Sequence, residues 1–133
     1  MTSTEIGNLG EDIAAGLLEA KGYTVLDRNY RFQKAEVDIV ALQMEPAELV
    51  FIEVKSRRRT DGPFPETAIT QAKQRNIFKA ADAYIYEKQY RTVPVRFDVI
   101  AIQAVDSENP LIEHFEDAFR MMGPLWDPTG ISF

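Results

Sequence analysis

Three charged side chains lie inside the two most strand-like segments of the chain. Asp38 is part of the apolar run AEVDIVAL, and Glu53 and Lys55 are part of ELVFIEVKSR. Side chains alternate across a strand, so Glu53 and Lys55 share a face. The connector between the two runs is short and contains a proline, which predicts an antiparallel hairpin that brings Asp38 close to Glu53.

Two unpaired carboxylates in a half-dry cleft repel each other, and a divalent cation removes that cost. Carboxylate oxygens in a chain without cysteine suit Mg²⁺ or Mn²⁺. Lys55 could then orient or deprotonate a water, or neutralise charge that develops on a phosphate. The pattern therefore indicates metal-assisted phosphodiester hydrolysis. The alternative is a solvated cross-strand salt bridge, which is common for an acid and a lysine two residues apart.

Basic residues cluster at the end of the same segment and on the following helix. Arg57, Arg58 and Arg59 lead into a loop rich in glycine and proline, and they are either phosphate contacts or a solvated strand end. Lys73 interrupts an apolar helical stripe, which fits a phosphate contact or a snorkelling side chain. His114, the only histidine, has no nucleophile pattern near it, and we expect it on the surface.

The distribution of charge matters more here than its total. The net charge is −6, but residues 98–133 hold seven acids and one base, so residues 1–97 are neutral. Local fields decide whether a protein binds a polyanion, and nucleic acid therefore stays a candidate partner. The absence of cysteine excludes disulfides and thiolate zinc sites. It also fits a reducing cytoplasm.

The ends and the apolar runs of the chain bear on localisation. The N-terminal residues lack the basic and apolar regions of a signal peptide. No apolar run approaches the roughly 20 residues that span a bilayer. We expect a cytoplasmic protein that does not enter the membrane.

The first element is a predicted helix from about residue 4 to residue 21. Thr2 and Glu5 have the spacing of a capping box, and Gly22 ends the helix. A strip of small residues beside its apolar face suggests that another element approaches closely: Gly7, Gly10 and Ala14. Glu11 lies at the edge of this strip, either solvated or facing a sheet.

The remaining segments predict three strands, a helix from about Glu66 to Gln89, a fourth strand and a short strand leading into a helix. On the paired second and third strands, alternation places one wholly apolar set on a single face: Val37, Ile39, Ala41, Val50, Ile52 and Val54. Asp98, in the fourth strand, is predicted to be structural. The order αβββαβ(α) indicates an α/β fold, a mixed β-sheet flanked by helices, with residues 1–120 as one domain and 121–133 as a tail.

Taken together, several segments resemble the small bacterial family often called YraN. They are GNLGEDIAAGLLEAKGY, RNYR, AEVDIVA, LVFIEVKSRR, ITQAKQRNIFKAADAYI, VRFDVIAI and EDAF, and they cover about residues 5 to 119. That family in turn resembles the Holliday-junction-resolvase branch of the PD-(D/E)XK nucleases. The resemblance implies a restriction-endonuclease-like core whose active site lies at an opened edge of the sheet.

By position, the resemblance makes Asp38 and Glu53 the metal carboxylates and Lys55 the catalytic lysine, and Glu11 matches an extra acid of resolvase-like nucleases. The hypothesis that follows is a Mg²⁺- or Mn²⁺-dependent endonuclease acting on DNA, branched or damaged. A second hypothesis is a binding module of the same fold that holds nucleic acid without cutting it. A third is an interaction protein whose C-terminal part, with Trp126, docks on another protein. Resolvase-like relatives act as dimers, so a homodimer is a further option.

Overall fold

Two helices cover opposite faces of one five-stranded sheet in a computed structural model that describes residues 1–58 and 69–120. The elements in chain order are α1 (Ser3–Ala20), β1 (Thr24–Phe32), β2 (Ala35–Met44), β3 (Ala47–Ser56), α2 (Gln71–Lys88), β4 (Val95–Gln103) and β5 (Leu111–Phe115). Neither helix is long and apolar enough to cross a membrane, among the residues described.

The sheet is mixed, and its strands follow one another in chain order from β1 to β5. Neighbouring strands are antiparallel except β3 and β4, which are parallel and are connected through α2. A parallel pair needs such a crossover, because the chain must return to the same end of the sheet. The predicted class, a mixed sheet flanked by helices with a restriction-endonuclease-like core, is confirmed.

α1 begins with the predicted capping box. The Thr2 hydroxyl accepts a 3.1 Å hydrogen bond from the backbone N–H of Glu5, and the Glu5 carboxylate accepts one of 3.0 Å from the N–H of Thr2. Two otherwise unpaired donors are thereby satisfied, which typically stabilises a helix by about 1 kcal/mol. At the other end Gly22 has a φ of 93°, the left-handed conformation that glycine adopts without strain.

The strip of small residues allows a close approach at one position. A Cβ on Gly10 would lie 2.5 Å from the Oγ of Ser56 and 2.6 Å from its Cβ, so α1 touches the end of β3 there. Gly7 is different, since no heavy atom of the described residues would come within 4 Å of a Cβ at that position. The predicted contact is confirmed for Gly10 and is wrong for Gly7.

Each helix closes a separate apolar core. Against α1 the sheet buries Ile39, Ala41, Val50, Ile52, Ile100 and Ile102. Against α2 it buries Val37, Val40, Leu49, Phe51 and Phe97. Full burial of an aliphatic or aromatic side chain contributes roughly 1.5–3 kcal/mol, so both faces of the central strands hold the fold together.

The prediction of one apolar face on β2 is wrong for Val37. Val37 packs in the core under α2, whereas Ile39 and Ala41 pack under α1. Residues two apart in a regular strand share a face, so the alternation is broken around Asp38. On the neighbouring strand Asn29 has a φ of 55°, which is a left-handed conformation inside β1. The irregularity thus occurs on both strands next to Asp38.

Asp98 is structural, as predicted, and it is fully buried. Its carboxylate accepts hydrogen bonds of 2.8 and 2.9 Å from Arg96 and one of 2.9 Å from the N–H of Asp117. Burial opposes ionisation, but these bonds and the one from His114 outweigh it and hold the pKa of Asp98 below its usual range. The ionised carboxylate of Asp98, on β4, therefore holds β5 and the turn after it through His114 and the N–H of Asp117.

The prediction that His114 lies on the surface is wrong. Its side chain is 5 % exposed, with Nε2 2.7 Å from Asp98 and Nδ1 2.7 Å from the Nζ of Lys21. An ammonium only donates, so Nδ1 accepts and Nε2 carries the proton that it donates to Asp98. A sequence with one histidine offers no partner pattern for this contact, because Asp98 and Lys21 lie on other elements.

Two predicted boundaries differ from the structure or lie outside it. No helix follows β5 up to Arg120, because the chain turns at Asp117, whose φ is 55°. α2 begins at Gln71 after the N-cap Thr70. The predicted start at Glu66 and the tail 121–133 lie outside the described residues.

Candidate active site

The two central strands stop pairing next to the predicted carboxylates. β2 and β3 pair from Met44–Ala47 to Ile39–Ile52, and Asp38 and Glu53 are the next residues on each strand. The Oδ2 atom of Asp38 accepts a 2.8 Å hydrogen bond from the backbone N–H of Val54. A side chain therefore holds the two strands together where the ladder of backbone hydrogen bonds has ended.

The carboxyl group of Glu53 is buried and lies against that of Asp38. Its residue is 5 % exposed. Burial, followed by the hydrogen bond and the negative charge of Asp38, raises the pKa of Glu53 to about 8. Since two neighbouring carboxylates ionise together only at a cost, Glu53 keeps its proton near neutral pH.

Two lysines approach the same pair. The Nζ of Lys73, on α2, lies 3.3 Å from Oε1 of Glu53. Burial lowers the pKa of Lys73, but the carboxylates of Glu53 and Asp38 outweigh it and leave it raised. Burial, followed by the charge of Lys73, lowers the pKa of Lys55. The two amines thus differ: Lys73 stays charged, and Lys55 gives up its proton more easily.

Glu11 approaches from α1. Its Oε1 is buried without a hydrogen-bond partner, and the nearest cation is the Arg28 guanidinium at 3.7 Å. Burial and then the charge of Asp38 raise the pKa of Glu11, while Asn29 and Arg28 act in the opposite direction. A buried carboxylate oxygen without a hydrogen bond is costly, and a cation near Asp38 would relieve that cost.

These residues offer a cation two carboxylates in contact and a third in the vicinity. Within residues 1–58 and 69–120, no three acidic or histidine side chains converge closely enough to form a ready-made metal site. The carboxyl pair of Asp38 and Glu53 fits a divalent cation because such an ion prefers carboxylate oxygens and would replace the proton on Glu53. Glu11 fits as a more distant oxygen ligand, acting directly or through water.

Two of the predicted arginines have contacts at the end of β4 and in the loop after it. Arg58 is ion-paired to Asp106, in the loop after β4, at 2.8 Å. Arg57 continues the sheet contact, since its N–H donates to the carbonyl of Ile102. Arg59 lies outside the described residues. The structure brings together Glu11, Asp38, Glu53, Lys55 and Lys73.

Sequence reasoning missed that Lys73 contacts Glu53 and that Arg28 and Asn29 support Glu11. In the sequence, Lys73 differs from its surroundings only by interrupting an apolar stripe, and this pattern does not predict which residue it contacts. Arg28 and Asn29 carried no signal, because their role depends on the pairing of β1 with β2 and on the packing of α1 over them.

A mixed sheet covered by one helix on each face, with carboxylates and lysines where two central strands part, defines an α/β protein with a nuclease-like core. Comparison with known proteins identifies its family. Residues 10–102 match the family described as "Uncharacterised protein family UPF0102". The chain belongs to this family, and the expected relationship to YraN-like proteins is confirmed.

Curated relatives extend over almost the entire chain. A UPF0102 protein of Geobacter sulfurreducens is 46% identical over 116 residues, which are 87% of this chain and 89% of the relative. Another, from Bifidobacterium longum subsp. infantis, is 43% identical over 121 residues, covering 90% and 96%. The family is therefore shared, and the names of these relatives state no activity.

Proposed function

We propose that this protein is a Mg²⁺-dependent endonuclease that hydrolyses DNA phosphodiesters in the cytoplasm, on branched or damaged DNA. The observation that carries the proposal is the contact between the buried carboxyl group of Glu53 and the partly buried one of Asp38 at the place where β2 and β3 part. Two neighbouring carboxylates repel each other when both are ionised, and a ligand with positive charge would relieve that repulsion.

In this proposal Asp38 and Glu53 hold the cation. The Oε1 atom of Glu11, which has no hydrogen-bond partner, acts as a more distant oxygen ligand. Bound Mg²⁺, or Mn²⁺ in its place, would stabilise the negative charge that develops on the scissile phosphate. Asp38 also stays bonded to the N–H of Val54 through Oδ2, so the strand positions its other oxygen, Oδ1. A strand holds a ligand more rigidly than a loop does.

Lys55 and Lys73 have different roles in the proposed reaction. Lys55 shares the strand face of Glu53, and its lowered pKa lets Nζ accept a proton from the attacking water. Lys73 keeps its proton and would bind a phosphate oxygen as a cation once Glu53 is engaged elsewhere. The water oxygen then bonds to phosphorus, the bond to the leaving sugar oxygen breaks, and that oxygen takes a proton from solvent water.

The test is nicking of supercoiled plasmid and of a four-way DNA junction by the purified protein with Mg²⁺ or Mn²⁺. Asp38→Ala and Glu53→Ala should abolish cleavage while retaining most of the binding, because neither side chain is needed to hold the DNA backbone. Glu19→Ala is the matched control, since it removes an exposed acid of α1. This variant should cleave like the wild type.

The experiment must distinguish cleavage by this protein from cleavage by contaminating nucleases. Equal cleavage by the wild type, Asp38→Ala and Glu53→Ala would mean that the activity is not from this protein. Absence of cleavage by the wild type on plasmid, junction, flap and abasic DNA, with both metals, would also contradict the proposal.

One observation favours a second function, a nucleic-acid-binding module that does not cut. The ammonium of Lys73 already lies 3.3 Å from Glu53 and could neutralise the site without a metal. Calorimetry distinguishes the two: the endonuclease binds Mn²⁺ and loses this binding in Asp38→Ala, whereas the module binds DNA with no uptake of Mn²⁺. The hypothesis of a docking tail concerns residues 121–133, which lie outside the described residues.

A further inference from the structure

A groove leads away from the candidate active site along α2. One side of it is an outward stripe of residues spaced three or four apart on the helix: Lys73, Asn76, Lys79, Ala83 and Tyr86. The other side is formed by Phe32 and Lys34 at the turn between β1 and β2. The stripe extends over 14 residues, on the order of 20 Å at the rise of an α-helix, which is room for several nucleotides.

Two cavities make up this groove. A polar one of about 290 Å³ lies nearer the active site and is lined by Lys34, Glu36, Lys73 and Asn76. A larger one of about 820 Å³ follows and has Phe32 and Tyr86 in its wall. Because Lys73 belongs both to the first cavity and to the ion pair with Glu53, the first cavity adjoins the site.

The part of the groove near the site is positively charged. The first 11 residues of α2 carry Lys73, Arg75 and Lys79 and no acid. Glu36, the one acid in the first cavity, is ion-paired to Arg31 at 3.3 Å. Cations along the N-terminal half of a helix, whose dipole is positive at that end, favour an anionic ligand.

The far part of the groove has two aromatic rings in its wall together with two basic and two acidic side chains, Lys79, Arg91, Asp82 and Glu87. Tyr86 is 70 % exposed and Phe32 is 41 % exposed, although large apolar side chains are usually buried. The guanidinium of Arg91 lies 5.0 Å from the centre of the Tyr86 ring and adds a second flat surface. Exposed rings beside a cationic track are typical of proteins that stack unpaired bases and hold the phosphates between them.

We infer that this groove binds an unpaired strand of nucleic acid and leads it to Glu53 and Lys55. The phosphates contact Lys34, Lys73 and Lys79, and the bases stack on Phe32 and Tyr86. The substrate class is therefore nucleic acid with a single-stranded segment, such as a flap, a gap or a displaced strand. The inference rests on the proposed function only in taking the bound strand as the substrate.

Binding is tested in the presence of EDTA, so that cleavage plays no part. The probes are labelled oligodeoxythymidylate of about 20 nucleotides, longer than the roughly 4–16 that one binding domain covers, and a blunt duplex of equal length. Tyr86→Ala and Phe32→Ala should each weaken binding of the single strand by about 5- to 100-fold and leave the duplex unchanged. Tyr86→Phe keeps the ring and should bind like the wild type.

Leu111→Ala is the control for apolar exposure, because Leu111 is 49 % exposed on β5. It should not alter binding of the single strand. Thermal melting checks that each variant is folded, which the exposure of Tyr86 leads us to expect. Equal binding by the wild type, Tyr86→Ala and Phe32→Ala would overturn the inference, and so would an equal loss of single-strand and duplex binding.

Salt dependence tests the phosphate contacts. The logarithm of the binding constant falls as the logarithm of the salt concentration rises, and each phosphate contact with a single strand makes this slope steeper by about 0.7. Lys79→Ala should make the slope shallower by about that amount. Lys88→Ala is the matched control, since Lys88 is an exposed lysine of the same helix that does not line the groove, and it should leave the slope unchanged.

Two further outcomes separate this inference from its alternatives. A wild-type dimer in light scattering that Tyr86→Ala converts to a monomer would mean that the groove is an interface between copies of the chain, and the inference would fail. Strand binding that depends on Tyr86, without metal-dependent cleavage of any substrate, would refute the endonuclease and leave the groove standing. Cleavage that ignores Tyr86 and Phe32 would refute the groove alone.

Discussion

The carboxylate of Asp38 accepts a 2.8 Å hydrogen bond from the backbone amide of Val54 on the adjacent strand. Backbone pairing between the two strands ends at Ile39 and Ile52, so this single side chain continues the connection beyond the ladder. The carboxyl group of Glu53 lies against the same carboxylate, so Asp38 serves both the structure and the proposed chemistry.

The first prediction concerns this bond. Asp38→Ala leaves the partly buried amide of Val54 without an acceptor and should lower the free energy of unfolding by about 1–3 kcal/mol. Asp38→Asn keeps an acceptor oxygen and should cost less. Both variants remove the same charge, and urea unfolding at about pH 6, where Glu53 is protonated, compares them. Equal losses would mean that the hydrogen bond contributes nothing.

The second prediction is a pH dependence of stability from Glu53. Its pKa is raised to about 8 in the folded protein, whereas the unfolded chain has an ordinary glutamate near 4.5. The folded state therefore binds an extra proton between these values, and the free energy of unfolding should fall by a few kcal/mol as the pH rises from about 4.5 to 8. Below 4.5 the contribution is fully present.

Urea unfolding in metal-free buffers across that range measures the effect. Glu53→Gln stays neutral and should lose most of the slope, while Glu19→Gln, at an exposed position, should keep it. A wild type whose stability does not change between pH 5 and 8 would show that Asp38 and Glu53 are not coupled as described.

The third prediction concerns the contact of α1 with β3. Gly10→Ala places a Cβ within 2.6 Å of two atoms of Ser56 and should destabilise the protein by about 1–3 kcal/mol. Gly7→Ala meets no such atoms and should stabilise it by up to about 1 kcal/mol through helix propensity. Thermal unfolding of both variants gives the comparison.

Ser56→Gly supplies the control for that contact. Combined with Gly10→Ala it removes the clashing atoms, so the double variant should recover part of the stability that Gly10→Ala loses. If Gly10→Ala and Gly7→Ala had the same effect, the close packing of α1 on Ser56 would be refuted.

The fourth prediction concerns the anchor of β5. Asp98→Ala leaves the buried charge of Arg96 without its main partner and should cost about 3–5 kcal/mol in guanidinium unfolding. The pKa of Asp98 is lowered on folding, so its contribution is present above the ordinary value of 3.8 and is lost as the pH falls through the folded value. Asp106→Ala breaks the exposed pair with Arg58 and should change stability little. Equal effects would contradict the prediction.

The local parts of the fold could be predicted from the sequence because their causes are local. The capping box of α1 needs only Thr2 and Glu5 at the right spacing. The hairpin of β2 and β3 follows from two apolar runs and a short connector, and it was enough to bring Asp38 near Glu53. Alternation along β3 correctly placed Glu53 and Lys55 on one face.

Other features arise from contacts between distant elements. Val37 packs on the opposite face of the sheet from the one predicted, next to a left-handed Asn29 on the neighbouring strand. No sequence pattern within β2 predicts this change. His114 is buried because Asp98 and Lys21 reach it from β4 and from the end of α1. Lys73 meets Glu53 only after α2 has packed on the sheet, so its spacing on the helix could not reveal the ion pair.

β3 is third of five strands, with a paired neighbour on each side and a helix over each face. Amides in such a strand exchange with solvent mainly through global unfolding, and the backbone at Glu53 and Lys55 stays paired with β4 beyond the end of the β2–β3 ladder, so it should open slowly. The spacing of these two groups is consequently fixed for the lifetime of the folded state. The side chain of Lys73, on α2, is half-exposed and can reorient by rotation within nanoseconds.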